Sequence, residues 1–129
     1  MLALIGGTGL NTLEGIGGFD LLHKEEIATP FADTQIQLSR YVYAGTELLF
    51  IPRHGDGHVV PPHRINYRGN IDALRLAGAT RVVAMNAIGG IAHELCPGAI
   101  AIPEQLIDYS YGRISSFYED NLEGVVHID

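Results

Sequence analysis

Arg53 and His54 stand side by side at the exit of an apolar run, Glu47–Ile51, and open the most chemically dense stretch of the chain. That stretch, Ile51–Asn70 (IPRHGDGHVVPPHRINYRGN), holds three of the six histidines and three of the six prolines. A guanidinium offers a planar fork of donors that suits phosphate or carboxylate. A loop of this kind at the carboxyl end of a strand is where α/β folds place their chemistry. The plain alternative is a solvated surface loop whose histidines have no task.

Two glycine turns could join it. Gly6-Gly7-Thr8-Gly9 follows the apolar run Leu2–Ile5, and successive glycines let backbone N–H groups converge on an anion without a Cβ in the way. Thr8 adds a hydroxyl. The turn is neither a Walker A loop, which needs a following Gly-Lys-Ser/Thr, nor GxGxxG, since Thr12 occupies the third glycine position. Alone it could equally be a tight turn without a ligand. Asn86–Gly90 is the second such turn and again follows an apolar run. Converged, the three features would make a pocket for phosphate or another small oxyanion. Each charge-assisted hydrogen bond contributes roughly 1.5–3 kcal/mol. The missing Walker lysine speaks against nucleoside triphosphates.

The rival chemistry is a metal hydrolase site. His54, Asp56 and His58 with His63 have ligand types suited to zinc or another divalent ion, although Arg53 would repel a cation. His23 and His93 read as surface residues. Cys96, before Pro97-Gly98, reads as a buried small hydrophobe with no base paired to it.

The elements that must position these groups follow from hydrophobic pattern. Leu2–Ile5 is a buried strand. Residues 10–30 read as a loop or a poor short helix. Alternation over Thr34–Ser39, then Tyr41–Tyr43, a turn at Ala44-Gly45 and Glu47–Ile51, predicts a hairpin ended by Pro52. Ile65–Ala77 has Ile71, Leu74 and Ala77 at helical spacing, with Gly78 as the stop. Arg68, Asp72 and Arg75 would share a solvated, paired face of that helix. Arg81–Asn86 is a second buried strand, so strand–helix–strand implies a parallel pair with a right-handed crossover. Ala99–Ile102 and Gln105–Tyr109 are expected as further strands. Beyond Tyr109 a long loop leads to Val125–Ile128, a last short strand, and the text stops at Asp129 without a cap or polar tail.

Composition bounds the function. A length of 129 residues suits one domain with a real core. Hydrophobic residues make up 47 % and charged residues 18 %, which suits a buried sheet or an oligomer. The net charge is −7 with Lys24 the sole lysine, which excludes general nucleic-acid affinity. A single cysteine fits a reducing compartment. No apolar run approaches the ~20 residues of a membrane span, and the start MLALIGG lacks the pattern of a secretory signal. A soluble, cytoplasmic α/β protein is expected, with no membrane or nucleic-acid partner.

Five motifs carry a resemblance: IGGTGL at 5–10, RHG at 53–55, PPHRINYRGNIDAL at 61–74, NAIGGI at 86–91 and HID at 127–129. In order and spacing they resemble the trimeric purine nucleoside phosphorylases, most of all the branch acting on methylthioinosine and methylthioadenosine. The resemblance implies an α/β, three-layer fold with a central mixed β-sheet flanked by helices. Residues 1–129 would be the N-terminal half of a single phosphorylase domain. It implies cleavage of a purine nucleoside by inorganic phosphate, the co-substrate, with no cofactor or metal, and a homotrimer for the full-length protein. By motif, Thr8, Arg53, His54 and Ala87 would bind phosphate. His58, Asn86 and His127 would lie on the substrate side, His127 reaching a neighbouring subunit's pocket. The sequence Asn86-Ala-Ile-Gly-Gly departs from the Thr-Ala-Cys-Gly-Ser of methylthioadenosine enzymes and points first to a 6-oxopurine. Groups that read the base and assist its departure would lie in the other half, so no catalytic residue is assigned here. A non-catalytic, phosphate-binding half-domain remains the other reading, and a metal hydrolase a lesser one.

Overall fold

The computed structural model describes residues 1–118. Five strands form one mixed sheet: β1 (Leu2–Gly6), β2 (Phe19–Ile27), β3 (Ile36–Tyr43), β4 (Thr46–Pro52) and β5 (Arg81–Ala84), in the spatial order β2-β3-β4-β1-β5. One α-helix, α1 (Tyr67–Leu76), lies between β4 and β5 in the chain. The hairpin β3–β4 closes on Ala44 and Gly45, both at positive φ (48° and 76°), the backbone that a tight two-residue turn requires. β1 runs parallel to both β4 and β5 and sits between them. The strands joined through α1 are therefore parallel, as expected, but not adjacent.

Alternation along the strands gives the sheet two apolar faces. Ala3, Leu38, Leu49 and Ile51 face α1 and meet its Leu74. Leu48, Phe50 and Tyr41 face the other way and are covered by Leu13 with Leu10 and Phe19. Among the described residues a helix thus covers one face, and the β1–β2 loop does the work of a helix on the other. Asn66 caps α1, its Oδ1 accepting from the Gly69 N–H at 2.8 Å while its Nδ2 donates to the Phe31 carbonyl at 2.7 Å.

Four expectations are corrected. Residues 19–27 form a nine-residue edge strand where a loop or short helix was expected. Ala99–Ile102 and Gln105–Tyr109 are not strands; among the described residues no strand pairs with them. β5 is a strand but an exposed one, because among the described residues only β1 flanks it. The helix face is not uniformly solvated. Asp72 is only 5 % exposed and accepts from Thr29 Oγ1 at 2.7 Å and Arg75 Nε at 2.9 Å. Arg68 instead lies over the Phe31 ring and donates to the Ser116 carbonyl, and Ile71 is partly exposed. Val125–Ile128 lies outside the described residues.

Candidate anion site at the sheet edge

Because β4, β1 and β5 are parallel neighbours, their carboxyl ends leave the sheet side by side. Gly7-Thr8-Gly9 follows β1, Arg53-His54 follows β4, and Met85-Asn86 follows β5. Two backbone bonds tie these exits together: Arg53 N–H donates to the Gly6 carbonyl at 3.0 Å and Met85 N–H to the Ile5 carbonyl at 2.9 Å.

The glycine turn is shaped for close approach. Leu10 N–H donates to the Gly7 carbonyl at 2.9 Å, and Gly9 takes a φ of +86°, the third position of a type II turn that favours glycine. At Gly7 a Cβ would come within 2.7 Å of Arg53 Nη2, 2.8 Å of its Cζ and 2.8 Å of the Met85 carbonyl oxygen. Glycine at this position is what lets the guanidinium lie against the β1 turn and the end of β5. Thr8 and Gly9 are exposed, and among the described residues their backbone N–H groups have no partner.

Arg53 is half-buried, and among the described residues no carboxylate pairs with it. In a chain of net charge −7, a guanidinium left without a counter-charge is a ready anion donor. His54 is 3 % exposed. Its Nδ1 meets the Val60 carbonyl at 2.8 Å, its Nε2 lies 3.2 Å from Arg53 Nε, and its carbonyl accepts from the Val60 N–H at 2.8 Å. Both ring nitrogens are therefore engaged within the protein. The His54 backbone N–H has no acceptor among the described residues. His58 stands over the His54 ring with centroids 4.3 Å apart, takes a left-handed φ of 58°, and reaches Asn11 Oδ1 with Nδ1 at 3.2 Å.

The structure thus gathers the Gly7–Gly9 turn, Arg53, His54 and His58. It sets Asn86 and Ala87 on the exposed continuation of β5, one and two residues beyond the Met85 carbonyl that closes on Gly7. His127 lies outside the described residues. Asn11, Met85 and the Val60 carbonyl belong to the arrangement but carried no sequence signal; each acts through backbone or a short amide placed by a turn. Among the described residues no three His, Cys, Asp or Glu side chains gather as a metal site. Cys96 is exposed and free, contrary to the expected burial; among the described residues its loop has no second surface to pack on. No helix among the described residues is long and apolar enough to cross a membrane.

The profile of the phosphorylase superfamily matches residues 2–129. The probable S-methyl-5'-thioinosine phosphorylase of Xanthomonas campestris pv. campestris is 44 % identical over 99 % of this chain and 50 % of its own length. The S-methyl-5'-thioadenosine phosphorylase of Rhodospirillum rubrum is 39 % identical over 99 % of this chain and 42 % of its own. In structure, methylthioadenosine phosphorylase from Schistosoma mansoni in complex with adenine superposes with a TM-score of 0.83 at 32 % identity, over 99 % of this chain and 46 % of that one. The chain spans about half the length of the curated relatives it matches.

Proposed function

We propose that this chain, which belongs to the phosphorylase superfamily, carries the phosphate-binding part of a purine nucleoside phosphorylase acting on methylthio-nucleosides. S-methyl-5'-thioinosine is the first substrate of this reading and methylthioadenosine the second. Inorganic phosphate is the co-substrate and no other cofactor is invoked. A phosphate oxygen attacks the anomeric carbon and the glycosidic C–N bond breaks. The purine leaves with that electron pair and takes up a proton, and 5-methylthioribose 1-phosphate is the other product. A phosphate held beneath the sugar stabilises the positive charge that develops there, so no covalent enzyme nucleophile is needed.

One observation carries the reading: the Arg53 guanidinium, without a carboxylate partner among the described residues, closes on Gly7 beside the end of β5. In this reading the Thr8 hydroxyl, Arg53, the backbone N–H of His54 and that of Ala87 bind phosphate. Asn86 and His58 face the nucleoside, and His127 serves a neighbouring subunit. The names of the relatives support the substrate class. A homotrimer of the whole protein and a cytoplasmic location complete it. A second reading, phosphate binding without turnover, is favoured by the exposure of β5 and the segment after it.

The test is release of free base from methylthioinosine and methylthioadenosine by the purified chain, with and without phosphate. Phosphate-dependent release supports the phosphorylase and names its base; phosphate binding without release supports the second reading. Arg53→Ala should weaken phosphate binding roughly 10- to 100-fold, the loss of one or two charge-assisted bonds. Arg75→Ala should leave it unchanged. Equal effects would sink the cradle.

A further inference from the structure

Resting on the phosphate reading, we infer that the His54 ring is a positioning residue for Arg53, not a donor to the anion, and that it makes the guanidinium meet its ligand end-on. The assignment comes from hydrogen-bond polarity. A carbonyl can only accept, so the 2.8 Å contact with Val60 puts a proton on His54 Nδ1. A neutral imidazole with its proton on Nδ1 carries a lone pair on Nε2. Arg53 Nε, which can only donate, lies 3.2 Å from that lone pair. The two bonds therefore fix one tautomer, and each satisfies the other's requirement.

The consequence for Arg53 is directional. A guanidinium can grip an oxyanion bidentately along its side edge, through Nε and one Nη, or along its end, through both Nη groups. With Nε given to His54, the side edge is closed and the end remains. Nη2 comes within 2.7 Å of where a Cβ on Gly7 would be, so the end of the guanidinium lies against the turn that carries Thr8 and Gly9. The His58 ring at 4.3 Å, itself tied to Asn11, backs the His54 ring. The Val60 N–H bond to the His54 carbonyl fixes the loop that supplies the carbonyl acceptor. A side chain held in this way loses less freedom when the ligand arrives, which is how preorganisation raises affinity.

Two measurements on the chain test this. In long-range 1H–15N spectra of the phosphate-free protein, His54 should carry its proton on Nδ1 with Nε2 bare. A coupling across the hydrogen bond should connect Nε2 to Arg53 Nε. A proton on Nε2 overturns the assignment. In phosphate titrations by calorimetry, His54→Phe should weaken binding about tenfold, the cost of one mis-aimed charged hydrogen bond. On an Arg53→Ala background the same change should cost nothing further, because an effect exerted through Arg53 disappears with it. His54→Gln, whose amide oxygen can stand in for Nε2, should recover most of the affinity. A full additional loss in the double variant means that the ring donates directly, and the inference fails. If the wild-type chain binds no phosphate, the phosphorylase reading falls while the spectra still decide the tautomer.

Discussion

Residues 1–84 and residues 85–118 are both rich in aliphatic side chains, yet they treat them in opposite ways. In the first region Ala3, Leu38, Leu49, Phe50 and Leu74 are almost wholly buried. In the second, Ile91 is 99 % exposed, Ile102 94 % and Ile100 92 %. The difference is not one of composition. The apolar faces of β1, β3 and β4 meet a second surface, either α1 or the loop through Leu13. Among the described residues nothing plays that part for the second region. Burial is a property of two surfaces brought together, and an aliphatic run supplies only one.

Denaturant unfolding of single variants can break or sharpen this contrast. The largest effect is expected at Phe50, buried in contact with Leu48 and edge-on to Tyr41. Phe50→Ala should cost about 3–5 kcal/mol, the usual range for emptying such a site. An intermediate effect is expected at Asp72, which ties α1 to the β2–β3 connection through Thr29. Asp72→Asn should cost about 1–3 kcal/mol, since it weakens a buried charged hydrogen bond. Its pH dependence has a definite sign. The Thr29 hydroxyl, and less strongly Arg75, hold the Asp72 carboxyl below its ordinary value of 3.8 against the opposing pull of burial. The folded state binds that proton more weakly than the unfolded chain does. The stabilisation is therefore fully present above about pH 4 and is lost as pH falls through the lowered folded value. Asp72→Asn should remove that part of the acid sensitivity and leave the neutral-to-alkaline part of the profile unchanged. The smallest effect belongs to Ile102→Ser, within about 0.5 kcal/mol, as for an exposed position. A cost there comparable to that of Phe50→Ala would mean that the second region has a packed surface after all.

The same contrast explains what could be read from the text. β1, β3, β4 and α1 were legible because their apolar residues recur at the period of the element that buries them. β2 was not, since its sequence FDLLHKEEI places charges and leucines on an edge strand. Ladder bonds to β3 and stacking of Phe19 on Tyr43 at 4.5 Å hold it there. The runs at 99–102 and 105–109 misled for the converse reason: they have strand-like pattern and, among the described residues, no strand to pair with. At the site, the residue types of Arg53, His54 and Thr8 were the signal for the proposed anion chemistry. What each nitrogen of His54 touches did not appear, because that depends on how the Gly55–Val60 loop bends back. The need for glycine at residue 7 was visible only as a turn; that Arg53 and Met85 close upon it is a fact of three dimensions.

The exposed thiol of Cys96 gives the chain a practical use. It is the single cysteine in the sequence and lies on the loop between the glycine turn after β5 and the exposed isoleucines. Its own carbonyl is tied back to the Ala99 N–H at 2.9 Å. A maleimide dye can therefore be placed at one known point without mutagenesis. A polarity-sensitive fluorophore there sits among side chains that have no cover among the described residues, far along the chain from the Leu49–Leu74 core. Its emission would shift to the blue whenever a second surface settles over this region, whether another polypeptide or a second copy of the same chain, and would stay red while the region faces water.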